Sequence, residues 1–577
     1  MSFNWSVAPV QPELRQRLAE ALRVSPLLAQ CLLNRGLDQP EVLSRFLAPR
    51  LQHLADPFLI PNMGAAVERL LAARQRQELV VIFGDYDVDG VTSTAVLLET
   101  LGGLGWRVEY YLPHRLEEGY GLSREGVENC LKKFTAALLL AVDCGSNAFD
   151  LIAQLRRDGI EVIVLDHHQV SNPAPAAIAL VNPCLGGGFD ELCSAGLAFK
   201  LAHALLKLMR AEGVAAAAAV DVRAQLDLVA LGTIADLVPL LGENRILVTA
   251  GLERLNATAR PGLLALKSVA ASPPVIGPYE VAFQLAPRLN AAGRLEDAHA
   301  ALRLLLTHDA GEAQSLARSL DESNRRRREL ERAIHEEIAA LIRPRFDADR
   351  DFVIVEGREQ WHVGVVGIVA SRLAQEFHRP TIVCGGEGPV WRGSGRGIEG
   401  FDLAAALREC DDLLLRHGGH ALAAGLSIRP ANLDALRQRL NALARAALRP
   451  EQLRPCLKLD AEVGAAEMTV EQVLELARLA PAGQGNPLPR LVLRGLSHRQ
   501  PPRRMGREQQ HVKFRLTDGH EMLEAVWWNA GGAQWPTAPF DLAFTPAIND
   551  YNARRCVQLK VLDWRPATVP ISAPPPR

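Results

Sequence analysis

The chain has 577 residues, 48% hydrophobic and 23% charged, with a formal net charge of −2. That length implies about three or four domains of ~150 residues, and the composition is that of a globular chain with ample core material. A net charge near zero does not advertise a polyanion partner, so any basic surface has to be local.

Residues 1–75 carry helical spacing in "QPELRQRLAEALRV" and "EVLSRFL" and are expected to form short helices. The texture changes at 79–83, where "LVVIF" reads as a strand, followed by "GVTSTAVLLETLGGLG", a helix ending in glycines. "WRVEYYL" (106–112), "ALLLAV" (137–142) and "IEVIVL" (160–165) read as three further strands. Between them lie helices at 123–134, with Ser123 as cap, and at "NAFDLIAQLRRDG". This alternation predicts a parallel sheet with helices on both faces.

Helices dominate from about 194 to 345, with Ala215–Ala219 expected to be only a loop or a helix end. Residues 311–343 read as one long charged helix with Leu330, Ile334 and Ile338 on one face. Its run Arg325–Arg328 is closely followed by Glu329, Glu331, Glu336 and Glu337, which favours a solvated linker over a phosphate contact. A second α/β unit begins at "DFVIVEG" (351–357) and runs to about 447. From 456 the chain turns to short strands, which predicts a small β-barrel. The tail "RPATVPISAPPPR" is Pro-rich and expected to be disordered. The domains are therefore expected at 1–75, 76–310, 311–345 (the connecting helix), 346–448 and 455–565, with a tail at 566–577. "MSFNWSVAPVQPELRQRL" lacks the apolar stretch of a signal peptide, and no window approaches ~18 uninterrupted apolar residues. Nine cysteines without a C-x-x-C pair fit reduced cytoplasmic thiols better than disulfides or a zinc knuckle.

The chemistry gathers where strands end. Strand 79–83 runs into Asp85, Asp87 and Asp89, strand 137–142 into Asp143, and strand 160–165 into Asp166, His167 and His168. In an open parallel sheet these carboxyl ends share one edge, where ligands bind. "GTIADLVPL" adds Asp236, alone in an apolar run. Each acid has an ordinary reading as a helix cap or a strand end. Three aspartates at alternate positions do not, because they repel unless a cation sits among them. An EF-hand is excluded: the twelfth position counted from Asp85 is Val96, and a strand-like run precedes the loop. Hard oxygens with one or two imidazoles suit Mn²⁺ or Mg²⁺ rather than Zn²⁺. So many carboxylates point to two ions, a device for phosphoryl chemistry.

"GDYDVDG", "VDCG", "LDHH" and "GTIADLVPL" resemble, in order and spacing, the four motifs of the DHH phosphoesterase superfamily. "FNW", "YLPHRLEEGYGL", "APRLNAAGR", "GSGRGIEGFDL" and "GGHALAAG" narrow the resemblance to its RecJ exonuclease family, over essentially the whole chain. The resemblance implies an α/β protein. A parallel-sheet DHH domain and a smaller α/β DHHA1 domain would be joined by the long helix, with a C-terminal OB-fold barrel. It implies that Asp85, Asp87, Asp89, Asp143, His167 and Asp236 ligate two Mn²⁺ or Mg²⁺ ions, with Asp143 bridging. His168 would lie beside the scissile phosphate, and Asp166 would fix a histidine tautomer.

Glycines and arginine in "WRGSGRG" make a basic loop that lets backbone amides approach an anion. With the resemblance, Arg115, Arg288, Ser394 and Arg396 are expected to hold a terminal 5′ phosphate, with His420 of the GGH element facing substrate. The site would then lie between the two α/β units. On the barrel, Arg503, Arg504, Arg507, Lys513 and Phe514 are expected to attract and stack single-stranded DNA. Of the neighbouring Trp527 and Trp528, one should face the core and one the solvent. The implied activity is a single-strand-specific 5′→3′ DNA exonuclease of recombination and repair. Its implied partners are a single-strand-binding protein and a RecQ-type helicase, and the expected state is a cytoplasmic monomer. The rival readings are an oligoribonuclease or cyclic-dinucleotide phosphodiesterase, and a non-catalytic single-strand-binding scaffold.

Overall fold

The computed structural model describes residues 3–567 except 116, 120, 190, 296, 531, 552 and 553. The chain divides into two compact units. One comprises Pro49–Ala447 with Gly483–Gly485; the other gathers Met1–Ala48, Leu448–Ala482 and Asn486–Arg577.

In the larger unit five strands form an all-parallel sheet in the spatial order Arg107–Tyr111, Leu79–Gly84, Leu138–Val142, Glu161–Leu165, Ala179–Val181. The four expected strands are present. The fifth, Ala179–Val181, has three residues and is too short to show a period. Alternation sends Val80, Ile82, Leu138 and Leu140 into one core and Val81, Phe83, Leu139 and Ala141 into the other. Helices on both faces bury these strands, so they read as continuous apolar runs. Strand order reverses about Leu79–Gly84, which pairs with the second strand on one side and the third on the other. The crevice at such a reversal is where doubly wound sheets bind ligands.

The long helix spans Ala310–Ile342, with the Asp309 carboxylate accepting from the Glu312 amide at 2.6 Å. Ala313, Ala317 and Leu320 join the first core, while Ile334, Ile338 and Ile342 join the core of a second sheet. One rigid element of ~50 Å thus fixes the two sheets to each other. The second sheet runs Leu414–His420, Ala423–Ile428, Trp391–Arg396, Thr381–Gly386, Ile354–Glu359; only the last pair is parallel. Ala215–Ala219 forms a single helical turn with Ala217 buried.

In the smaller unit, Leu491–Met505, His511–Thr517, Met522–Trp527, Arg554–Pro566 and Phe540–Tyr551 pair in sequence, and the last closes onto the first as a barrel. The N-terminal region departs from its all-helical expectation. Asn4–Val7 is a strand pairing in parallel with Cys456–Leu459. Trp5 fastens it: its indole N–H donates to Asp563 at 2.8 Å, and the Arg565 guanidinium lies over its ring at 4.5 Å. A parallel partner about 450 residues away leaves no local signal, so helix periodicity was the only pattern to read. The boundary expected at 75 therefore differs from the grouping of 1–48 with the barrel. Of the expected tail, Pro566 ends the last strand, and residues 568–577 lie outside the described residues.

Candidate metal centre and the adjoining anion cavity

The carboxyl ends of Leu79–Gly84 and Leu138–Val142, the strands at the reversal, carry the aspartates. Asp87 caps the helix Val88–Gly103, accepting from the Asp89 and Gly90 amides at 2.9 and 3.2 Å. Asp89 is buried and accepts from the Ser194 and Ala195 amides, both at 2.8 Å, at the start of the helix Ser194–Ala211. Asp143 has a left-handed φ of +62°, and its carboxylate accepts from the Ser194 hydroxyl at 2.9 Å. Asp85 is fully buried, and neither of its carboxylate oxygens makes a well-aligned hydrogen bond. Gly90 is required by geometry: a Cβ there would sit 2.5 Å from the Asp85 carbonyl oxygen.

His167 Nε2 also lacks a hydrogen-bond partner among the described residues. It faces Asp143 at 3.4 Å, Asp236 at 3.4 Å and Asp89 at 3.8 Å. Ligands of one hexacoordinate ion with ~2.1 Å bonds lie ~3 Å apart, so this spacing fits a cation. Ligand atoms form three groups, the atoms within each lying no more than 4.8 Å apart: Asp85, Asp87 and Asp143; Asp89, His167 and Asp236; and Asp143, His167 and His168. Asp143 and His167 each belong to two of them. All six expected ligands converge here, with His168.

The electrostatics agree. Burial pushes the Asp85 and Asp143 carboxyls well above the carboxylate range, reinforced by Asp87 for the first and Asp89 for the second. Asp236 is pushed up to about 9 by burial and the charges of Asp89 and Asp87. These acids resist shedding their protons together, which marks a seat for divalent cations. Asp166 behaves differently. Burial opposes its ionisation, but the His168 hydrogen bond and charge and the Ser146 amide outweigh that, and its carboxyl sits below the usual range. Its Oδ1 meets His168 Nδ1 at 2.7 Å and accepts from both histidine amides. Burial disfavours the His168 cation, yet Asp166 raises it to about 9.

Beside this cluster lies a cavity of about 450 Å³. Tyr86, Arg115 and Gly119 line it from the first sheet's loops, and Val363, Arg392, Ser394, Arg416 and His417 from the second sheet's side. Arg115 lies over the Tyr86 ring at 5.2 Å. Arg396 donates to the Ser394 hydroxyl at 3.0 Å, and burial and the Arg115 charge hold its pKa down. Arg115, Ser394 and Arg396 are thus brought together. Arg288 is turned away and bound to Asp321 at 2.9 Å and the Gln284 carbonyl at 2.6 Å. His420 is exposed at its strand end and does not line the cavity; His417 and Arg416 of the same strand do.

The rest of "APRLNAAGR" also serves the site, although the sequence reading assigned a role only to its Arg288. The Asn290 side chain accepts from the Val88 amide at 3.1 Å and fastens the aspartate loop. Gly293 lets that helix press on Tyr86, whose carbonyl oxygen would lie 2.8 Å from an added Cβ. Arg294 is pushed down to about 10 by burial and the charges of Arg115 and Arg327. Among the described residues Arg115, Arg294 and Arg396 make no ion pair. Arg115 repels both Arg294 and Arg396, so positive charge is concentrated beside the cavity. Ser194 was also missed; its place at a helix start in "LCSAGLA" is its only sequence signal.

In the barrel, Arg503, Arg504 and Arg507 are exposed. Lys513 is bound to Glu524 at 2.8 Å. Phe514, expected to stack on bases, is 4% exposed and packs on His498 inside the barrel, because inward and outward positions alternate along its strand. Trp528 is 47% exposed, whereas Trp527 lies against the barrel interior.

Family models match in three stretches: the DHH family N-terminal domain over 79–233, the DHHA1 domain over 350–446 and the RecJ OB domain over 459–563. The single-stranded-DNA-specific exonuclease RecJ of Bacillus subtilis is 37% identical over 572 residues, 97% of this chain and 70% of the relative. That of Escherichia coli is 35% identical over 557 residues, 92% of this chain and 95% of the relative. Among solved structures, RecJ from Thermus thermophilus in complex with Mn²⁺ superposes with a TM-score of 0.83 at 33% identity, covering 97% of this chain and 79% of that one. The same enzyme in complex with Mg²⁺ gives 0.77 at 32% identity, covering 97% and 78%. With its three domains in order and its acidic cluster at the sheet reversal, the chain belongs to the RecJ family of single-stranded-DNA-specific exonucleases.

Proposed function

We propose that the chain hydrolyses single-stranded DNA from the 5′ end, releasing 5′-mononucleotides, with two Mn²⁺ or Mg²⁺ ions. One observation carries the reading: a buried carboxylate–histidine cluster opens beside a cavity lined by Arg115, Arg392 and Arg416, none of which makes an ion pair among the described residues. Asp85, Asp87 and Asp143 would hold one ion and Asp89, His167 and Asp236 the other, with Asp143, 3.4 Å from His167, placed to serve both. When bound, the ions supply activated water and Lewis-acid stabilisation of the phosphorane-like charge. The chain's own groups do the rest. Arg115, Arg294 and Arg396 hold a terminal phosphate, which sets the strand's register and favours the 5′ end. Asp166 holds His168 protonated and oriented, so that it donates towards the phosphate being cut. The exposed arginines of the barrel attract the trailing strand. The RecQ-type helicase and single-strand-binding protein that the resemblance implies belong to this proposal, as do the monomeric state and a role in recombination and repair.

The test offers 5′-labelled and 3′-labelled single strands, duplex and dinucleotides with Mn²⁺. Mononucleotides released first from the 5′ label support the reading. Cleavage confined to dinucleotides replaces it with a phosphodiesterase, and binding without cleavage with a scaffold. Among the described residues no helix is long and apolar enough to cross a membrane.

A further inference from the structure

Leu237 follows the ligand candidate Asp236 and carries two costs with no return inside the protein. Its φ is +61°, in the left-handed region, and its side chain is 65% exposed. The helix Leu226–Ala235 ends here, the Asp236 amide donating to Gly232 at 3.0 Å and the Leu237 amide to Ile234 at 3.4 Å. Helices commonly end with a left-handed residue, but that residue is usually glycine. Helix termination therefore explains the backbone and not the leucine. The other described non-glycine residues with positive φ are polar, apart from Ala271. The segment is not loose either. Leu240 is buried, and its amide donates to the Gln484 carbonyl at 2.8 Å.

The site opens on this side. Side-chain exposure is 1% for Asp89 and 2% for Asp143, but 16% for His167, 21% for Asp236 and 38% for His168. A phosphodiester reaching the ligands has to enter past His168 and Asp236. Residue 237 is bonded directly to Asp236 and is exposed, so it borders that entrance. An exposed leucine held rigidly at that mouth has one fitting occupant, the apolar face of the entering nucleotide. Strain at a functional mouth is a known pattern, read here from the outlier towards function.

We infer that Leu237 is a substrate-packing residue: its side chain covers the sugar–base unit of the nucleotide whose phosphate lies at the metal centre. The inference rests on the nuclease reading above. Leu237→Gly removes the side chain and keeps the backbone; Leu237→Asn keeps the backbone and makes the position polar; Leu237→Met restores apolar bulk. KM and kcat on a 5′-phosphorylated single strand, Mn²⁺ affinity by titration, and the melting temperature are measured for each. KM is expected to rise about tenfold for Gly and Asn, the scale of losing one half-covered leucine contact. It should stay within about threefold for Met. Mn²⁺ affinity should be unchanged, and the Gly variant should melt at the wild-type temperature or above it. A wild-type KM in Leu237→Gly overturns the inference. So does a KM rise accompanied by equally weakened Mn²⁺ binding, which would make Leu237 a prop for Asp236. A wild type that does not cut the strand removes the nuclease reading and the inference with it.

Discussion

Gly90→Ala is the sharpest test of how the aspartate loop is held. A Cβ at residue 90 lies 2.5 Å from the Asp85 carbonyl oxygen, 2.7 Å from its carbon and 2.8 Å from its Cα. All three are backbone atoms, so no side chain can swing aside. Ordinary contact begins near 3.4 Å, and the Asp85 backbone must therefore retreat by roughly 0.9 Å. Overpacking of this kind costs about 1–3 kcal/mol. Alanine's helix propensity returns up to ~1 kcal/mol, so the melting temperature should fall by only a few degrees. Catalysis is less forgiving. A displacement near 1 Å of a positioning group costs on the order of 10²-fold in rate. Turnover of a 5′-labelled strand at saturating Mn²⁺ should drop by about that factor, while strand binding in the absence of metal stays near wild type. Gly64→Ala is the control, since nothing lies within 4 Å of its Cβ. Wild-type turnover in Gly90→Ala would falsify the claim that close packing at Gly90 sets the ligand geometry.

Asp143→Ala should abolish cleavage with strand binding largely kept; residual turnover above ~1% of wild type would remove Asp143 as the shared ligand. Asp166→Asn should lower kcat about 10–100-fold with Mn²⁺ affinity preserved, and an equal loss in both quantities would instead make it a structural support of the site. Metal and pH are coupled with a defined sign. Asp236, raised to about 9 in the fold, keeps a proton that the unfolded chain releases near ~3.9, so metal-free stability falls as pH rises through that window. Because Mn²⁺ displaces that proton, the rise in melting temperature it produces should be larger at about pH 8.5 than at about 5.5. Equal increments would count against a metal-filled cluster. Charge reversal at Arg503, Arg504 and Arg507 should weaken long-strand binding and flatten its salt dependence, and an unchanged salt slope would remove the barrel from the DNA path.

The metal cluster was legible because the physics behind it is regular. A parallel sheet gathers strand carboxyl ends on one edge, so Asp85–Asp89, Asp143 and His167 meet without any knowledge of loop geometry. The cavity was half legible. Arg288 and Arg294 share one motif, and only the helix's phase and the Asp321 partner decide which lies near Arg115. His417 lies within the strand beside the cavity, whereas His420 is at the strand's exposed end, and a GGH motif does not reveal where its strand stops. Phe514 fell to the rule of alternation along a strand. Asn4–Val7 was beyond reach, because its partner is chosen by tertiary packing rather than by local pattern.

That last pairing has a consequence for how the protein is made. At ~5–20 residues per second, the ribosome needs roughly half a minute to a minute and a half to travel from Val7 to Leu459. Throughout that interval the strand Asn4–Val7 has emerged but has nothing to pair with. A message or a nascent chain broken before residue 456 would leave the opening strand permanently without its mate. The smaller unit therefore gathers both ends of the chain, and its barrel closes only after the strands out to Pro566 have been made.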